Sequence, residues 1–343
     1  MLAAGVSGQE QMPGTARPLI KDMPAPTTGW ICPMHPNEVK TEPGKCSICG
    51  MTLVPGDPMA TADYPVHVTT EPRIVKAGQK TKFTLSVIHP LTGEQVKEFG
   101  EVHDRIYHLF IVSRDMKQFF HIHPTLEKDG SLTVEQELPV PGQYVLFSDF
   151  MPVGGGPQLV TTPIVTAGYE GDILSQLPNL KPDSPLTKTA DGTRVEFQIE
   201  PAALIAGEEA DIPIHFTDEK SDQPVKDLQR YLGAFGHAMM LSEDMTEHVH
   251  AHPQEMLEGT TITEGGGPDL VFHALFPKPG HYRIWLQFQR HNVLSTIPFT
   301  VRVFRPGETL AKLRLPSSAE NIRLRFARAV LFCPAPRGQA AQQ

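Results

Sequence analysis

At 343 residues, with 40% apolar and 20% charged residues, the chain has room for two or three domains. A formal net charge of −9 argues against a general nucleic-acid binder, and 33 prolines with 28 glycines argue against long helices and for turn-rich β structure. No apolar run reaches the length of a membrane span.

Residues 1–28 read as leader and linker; Met1-Leu2-Ala3-Ala4-Gly5 is too short a remnant to define a signal peptide, so the leader reads as truncated. The segment 29–56 carries the chemistry. Cys32-Pro33-Met34-His35 is followed, after ten residues, by Cys46-Ser47-Ile48-Cys49, a C-x2-H and a C-x2-C knuckle. Each knuckle turns two side chains toward one ion, and Pro33, Pro36, Pro43, Gly44 and Gly50 keep the backbone in tight turns. Thiolates with imidazole suit copper, as Cu(I) or Cu(II), or zinc. Met34 and Met51 are soft auxiliaries or packing residues. So short a segment buries no core of its own, and a bound ion substitutes for one. Two readings stay open: a zinc ribbon in which the ion only holds the fold, and a site whose task is the metal. Of four cysteines only Cys333 lies outside the motif, so no intrachain disulfide framework is available.

An internal repeat organises the middle. His108, Asp115, Met116, His121, His123 and Pro124 recur as His237, Asp244, Met245, His250, His252 and Pro253, at a constant offset of 129. Ala77-Gly78 matches Ala206-Gly207 at the same spacing, and Pro141-Gly142-Gln143-Tyr144 answers Pro279-Gly280-His281-Tyr282 after an insertion. Two sandwich domains are expected at 63–168 and 193–304, joined by a linker at 169–192. Alternating segments such as Lys82 to Ile88, Ala210 to Phe216 and Thr296 to Val303 read as strands, and short strands between Pro/Gly turns make a β-sandwich the expected fold. Asp115 and Asp244 fall in the hairpin after the first-histidine strand and read as turn residues.

Side chains at i and i+2 of a strand share a face, so His121 pairs with His123, and His248 with His250 and His252. The hairpin returns His108 and His237 beside them. One imidazole triad is therefore expected at one end of each sandwich: His108, His121 and His123, and separately His237, His250 and His252, with His248 auxiliary. The competing account is structural, with histidines capping loops or bonding carbonyls. His67, His89, His103 and His215 have no repeated partner and read as ordinary surface or core residues. His281 or His291 is a further candidate for the second site. The tail 305–343 carries seven Lys/Arg against two Glu and reads as basic and disordered.

The segment from Trp30 to Pro55, with C-P-M-H-P, P-G-K-C and C-G-M-T-L in order, resembles the heavy-metal-binding domain found at the N-termini of copper-transporting ATPases and of periplasmic copper/silver efflux adaptors. Ser47 stands where that pattern has proline. The resemblance implies Cys32, His35, Cys46 and Cys49 as ligands. From Val66 to Val303 the phrases H-L-F-I-V-x-R-D, F-x-H-x-H-P, P-x-P-G-x-Y and Y-L-G-x-x-G-H-A resemble cupredoxin-like or immunoglobulin-like β-sandwich domains of secreted bacterial proteins. No cysteine occurs between Gly50 and Phe332, so a blue-copper electron-transfer site within the repeats is excluded.

The expectation is a mainly β, non-enzymatic protein of the periplasm or cell surface that captures, buffers or transfers copper. An envelope metal transporter or efflux component is the partner class implied by the resemblance. The alternative is a non-catalytic accessory or adaptor subunit of such a transporter, with a purely structural zinc ribbon.

Overall fold

A computed structural model describes residues 29–33, 35, 37–48, 50–172, 178–199, 203–253 and 265–308. The leader, the tail beyond residue 308, Met34 and Cys49 lie outside the described residues. Among the described residues every regular element is a strand, and no helix is long and apolar enough to cross a membrane.

The N-terminal module is a three-stranded antiparallel sheet, with β1 (Gly29–Ile31) between β2 (Val39–Lys40) and β3 (Val54–Gly56). Its own interior is little more than Cys32, Cys46 and Leu53, with Trp30 and Met51 alongside. The rest of its apolar surface, Ile31 and Val54, packs on Val102 and Met151 of the first sandwich. Gly56 makes this docking sterically feasible, because a Cβ there would lie 2.7 Å from the carbonyl oxygen of Gly155.

The first sandwich contains β4 (Val66–Glu71), β5 (Lys80–Val87), β6 (Phe99–Gly100), β7 (Tyr107–Ser113), β8 (Phe119–Ile122), β9 (Thr125–Leu126), β10 (Leu132–Glu137), β11 (Gln143–Pro152) and β12 (Gln158–Val165). One sheet has the order β4-β5-β10-β9; the other runs β12-β11-β7-β8, with β6 on β11. The second sandwich contains β13 (Thr187–Ala190), β14 (Thr193–Phe197), β15 (Leu204–Ile205), β16 (Glu209–Asp218), β17 (Leu228–Gln229), β18 (His237–Ser242), β19 (His248–Ala251), β20 (Asp269–Leu275), β21 (Gly280–Arg290) and β22 (Val293–Phe304). Its sheets are β13-β14-β16-β20 and β15-β22-β21-β18-β19, with β17 on β21. β13 lies inside the stretch read from sequence as linker. It pairs with β14 through a hairpin whose Asp191 and Gly192 both have positive φ (47° and 74°), the geometry that an Asp-Gly turn favours.

The repeated Pro-x-Pro-Gly-x-Tyr phrase has a local reason. Tyr144 Oη donates to the carbonyl of Val140 at 2.8 Å, and Tyr282 Oη to that of Lys278 at 3.0 Å, tying each turn to the strand that follows it. Asp115 and Asp244 act in turns as expected: each Oδ1 accepts from the serine hydroxyl two residues back and from the backbone N–H two residues on.

β7 and β18 are buried along their whole length. A strand buried on both faces needs cover on both, and its sequence loses alternation. Leu109 and Ile111 face their own sandwich core, as Met240 does in the second copy. Phe110, Val112 and Phe147 turn the other way and meet Met239, Leu241 and Trp285 of the other repeat. The two inner sheets therefore pack face to face through the same surface of each copy. Phe119 stacks on Trp285 at 4.7 Å, and its counterpart His248 lies over Phe147 at 6.4 Å. This reciprocity is what a two-fold interface produces, here within one chain.

Candidate metal centres

Cys32 and Cys46 are buried, and their sulfurs are not joined to each other. The first knuckle is closed by His35 N–H donating to the Cys32 carbonyl at 3.2 Å. The second is closed by Gly50 N–H donating to the Cys46 carbonyl at 3.0 Å, with Gly50 at φ 75°. His35 Nδ1 lies 3.6 Å from Cys32 Sγ and 3.7 Å from Cys46 Sγ. A tetrahedral ion about 2.3 Å from sulfur and about 2.0 Å from nitrogen sets those donors about 3.6 Å apart. The described ligands thus fit a metal, and Cys46 Sγ also accepts the Ile48 N–H at 3.4 Å. The fourth expected ligand, Cys49, lies outside the described residues.

The repeat histidines do not form two sites. They converge in one nest where the two repeats meet, because each triad lies on the inner face of its sandwich rather than at a free end. In register Phe110 faces His121, which brings His108 to the end that carries His123. His108 Nδ1 lies 3.0 Å from His121 Nε2, and His123 Nε2 lies 3.2 Å from the same atom. The outward nitrogens fix which inward ones carry lone pairs. A carbonyl only accepts, so His108 Nε2, 2.9 Å from the Val102 carbonyl, holds the ring proton, and so does His237 Nε2, 2.8 Å from that of Tyr231. With Gln287 Oε1 turned toward it, His121 Nδ1 donates across the interface at 2.7 Å, and the amide N–H donates to Thr296 Oγ1 at 3.1 Å. At the equivalent place His250 Nδ1 faces Asp149 Oδ2 at 3.0 Å. In the neutral rings His108 Nδ1, His121 Nε2, His237 Nδ1 and His250 Nε2 are therefore acceptors.

Two residues that the sequence reading passed over complete the nest. His103 has ring centroids 4.7 Å from both His250 and His252, and neither of its nitrogens has a hydrogen-bond partner. It occupies a two-residue turn in which Val102 and Arg105 exchange backbone hydrogen bonds and both His103 and Asp104 have positive φ (50° and 57°). The second repeat builds the same turn with Leu232 and Gly233, so His103 is an addition of the first copy. Nothing in the sequence marks Asp149; its link to His250 appears once the copies are paired. His248 keeps to Phe147, His281 bonds Glu243, and His291 bonds Asp227 at the surface, so neither His281 nor His291 joins the nest.

Burial holds His103, His121 and His250 well below the usual imidazole range, with neighbouring histidines adding to the effect. The same cause takes His237 to about 4 and His123 to about 3, and lowers His108 and His248. The rings are thus neutral near pH 7, the form that binds metals. Burial pushes Asp149 up, and its attraction to the His108 and His248 rings opposes that push.

The module reaches the nest. Met51 Sδ lies 3.1 Å from His252 Nε2, whose Nδ1 is 3.1 Å from the Pro253 carbonyl. A cavity of about 440 Å³ opens beside this contact, lined among others by Met51, Glu101, His103, Asp104, Leu232 and His252.

The chain is thus two tandem β-sandwiches joined through a shared imidazole cluster, with a cysteine–histidine ribbon docked beside it. It belongs to the family described as Domain of unknown function (DUF8832), whose model matches residues 60–167 and 188–304, together well over half of the chain. Residues 30–55 match the model of the heavy metal binding domain. The curated proteins include no match to the chain. Among solved structures, the Escherichia coli adhesin FdeC is similar over 78% of this chain and 76% of its own, at 12% identity and a TM-score of 0.22. The Yersinia pseudotuberculosis adhesin InvE is similar over 70% and 60%, at 10% identity and a TM-score of 0.21.

Proposed function

We propose that the protein is a non-enzymatic metal-handling protein of the cell envelope that takes up a copper-class ion, holds it and passes it on. The observation that carries this reading is the set of sulfur-to-nitrogen separations of 3.6 and 3.7 Å around His35, the spacing of donors sharing one ion. Thiolates, imidazole and nearby thioethers favour a soft or borderline ion, and copper is the cargo best served by all three. The Met51–His252 contact supports transfer over a purely structural ribbon, since it extends soft donors from the module to the sandwiches. An envelope location agrees with the company that the heavy-metal-binding module keeps, and thiols outside the cytoplasm persist best as metal ligands. A non-catalytic role agrees with a sequence that has neither a nucleophile elbow nor a phosphate-binding loop.

Copper and zinc per chain, measured on protein isolated without chelator, test the reading. Wild type should retain a tightly held ion, and the Cys32→Ser/Cys46→Ser variant should hold one equivalent fewer. Wild-type protein with only trace metal that also fails to reconstitute would end it.

A further inference from the structure

The nest at the repeat interface poses a problem of its own, separate from the cysteine–histidine module. With Gln287 Oε1 turned toward His121 Nδ1, His108 Nδ1 and His121 Nε2 are both acceptors, and they face each other at 3.0 Å. Two lone pairs at that distance repel unless a cation or proton lies between them. His237 Nδ1 and His250 Nε2 are buried with no hydrogen-bond partner, as are both nitrogens of His103. A buried polar atom left unsatisfied costs about 1–3 kcal/mol, so several in one place call for an explanation.

A structural network of imidazoles would answer each ring nitrogen with a donor or acceptor; here the inward nitrogens of His237 and His250 and both of His103 go unanswered, while the outward ones are answered. They meet carbonyls, a side-chain amide and a carboxylate, which are the partners that orient metal-bound histidines and set their tautomers. The rings gather: one nitrogen each of His108, His121 and His250 lie within 4.8 Å of one another, and so do one each of His103, His237 and His250.

We propose that the interface between the two repeats is a second metal site, all-imidazole in character, that takes one borderline transition-metal ion of the Cu(II) or Zn(II) class. The ligands are His108 Nδ1 and His121 Nε2 from the first repeat and His250 Nε2 from the second, with His123 Nε2 beside His121 able to fill a fourth position. Imidazole nitrogens about 2.0 Å from an ion stand about 2.9 Å apart at a right angle and about 3.3 Å apart in a tetrahedron. The observed separations of 3.0 and 3.2 Å fall between these values. His250 belongs to both groups, and with its Nδ1 on Asp149 only Nε2 is left to bind, so an ion in one takes the donor that the other needs. The stoichiometry is therefore one ion per nest. Because the ligands come from both repeats, the ion also clamps the sandwiches together.

The inference does not rest on the thiolate site, and its test silences that site first. Full-length Cys32→Ser/Cys46→Ser protein, stripped with a chelator, is titrated with Cu(II) and with Zn(II). Stoichiometry, melting temperature and, for Cu(II), the pulsed electron paramagnetic resonance spectrum are read. One equivalent is expected, with several imidazole nitrogens coupled to the copper and a melting temperature that rises with free ion. In the same background His121→Gln, at a partly exposed position, should weaken Cu(II) binding at least tenfold. A folded Cys32→Ser/Cys46→Ser protein that binds neither ion, a copper spectrum with one or no imidazole, or unchanged binding in His121→Gln would each overturn the proposal. The spectrum decides the matter even where a histidine variant folds poorly.

Discussion

The two repeats are alike in what holds each sandwich together and unlike where they touch. Tyr144 and Tyr282 make the same corner, and Asp115 and Asp244 the same turn. At the interface, however, Phe147 stands opposite His248 where Trp285 stands opposite Phe119, Asp149 holds His250 where Gln287 holds His121, and His103 occupies the place of Leu232. Divergence has left the fold alone and changed the residues around the inward imidazoles. A duplicated sandwich keeps its own core because every inward residue there is constrained by neighbours in the same copy. The facing surfaces have only each other to satisfy, so one copy can supply an amide where the other supplies a carboxylate.

The largest effect expected is on packing. Trp285 is buried and stacked on Phe119, so Trp285→Ala should cost about 3–5 kcal/mol in chemical denaturation, as loss of a buried aromatic does. Phe147→Ala, whose ring meets only the more distant His248 at the equivalent place, should cost less; equal losses would show that the asymmetric stack contributes nothing. Next is acid. His237 has its folded value near 4 against an unfolded value of about 6.5, so the unfolded chain binds more protons between these limits. Metal-free protein should hold its full stability above about pH 6.5 and lose on the order of a few kcal/mol as pH falls toward 4. A melting temperature flat across that window would contradict neutral, buried rings.

Asp149→Asn removes the carboxylate behind His250 and makes both copies rely on an amide. Metal affinity at the nest should fall about tenfold, a loss typical of partners behind a ligand, while unchanged affinity would mean that the carboxylate does not orient His250. The smallest change is His103→Leu, which gives the first repeat the turn residue of the second. It removes two unanswered buried nitrogens, so metal-free stability should rise by about 1 kcal/mol and metal stoichiometry at the nest should stay at one. Lost binding in that variant would move the ion to the group of His103, His237 and His250.

Much of this was written locally. The knuckle spacing of Cys32, His35 and Cys46 names its own geometry, because ligands two residues apart within a turn have few ways to point. The offset of 129 revealed two copies of a sandwich, and the i, i+2 rule placed His121 beside His123 on one face. Even β13, read as linker, carried its signal in the Asp191-Gly192 turn. The partnership of His250 with Asp149, 101 positions apart in the chain, left no such trace. His103 has Leu232 as its counterpart in the other copy, so repetition does not mark it.

Sequence by itself determined the β-rich class, the duplication and which histidines recur in both copies, since composition, periodicity and short spacing are properties of neighbouring residues. Only the tertiary structure decided that two expected triads are one nest, that Met51 reaches His252, and that the first copy alone sends in a seventh imidazole. Those outcomes depend on which faces of two sandwiches bury each other. That choice is made by the summed packing of residues such as Phe110, Met239 and Trp285, which in sequence look like any other core.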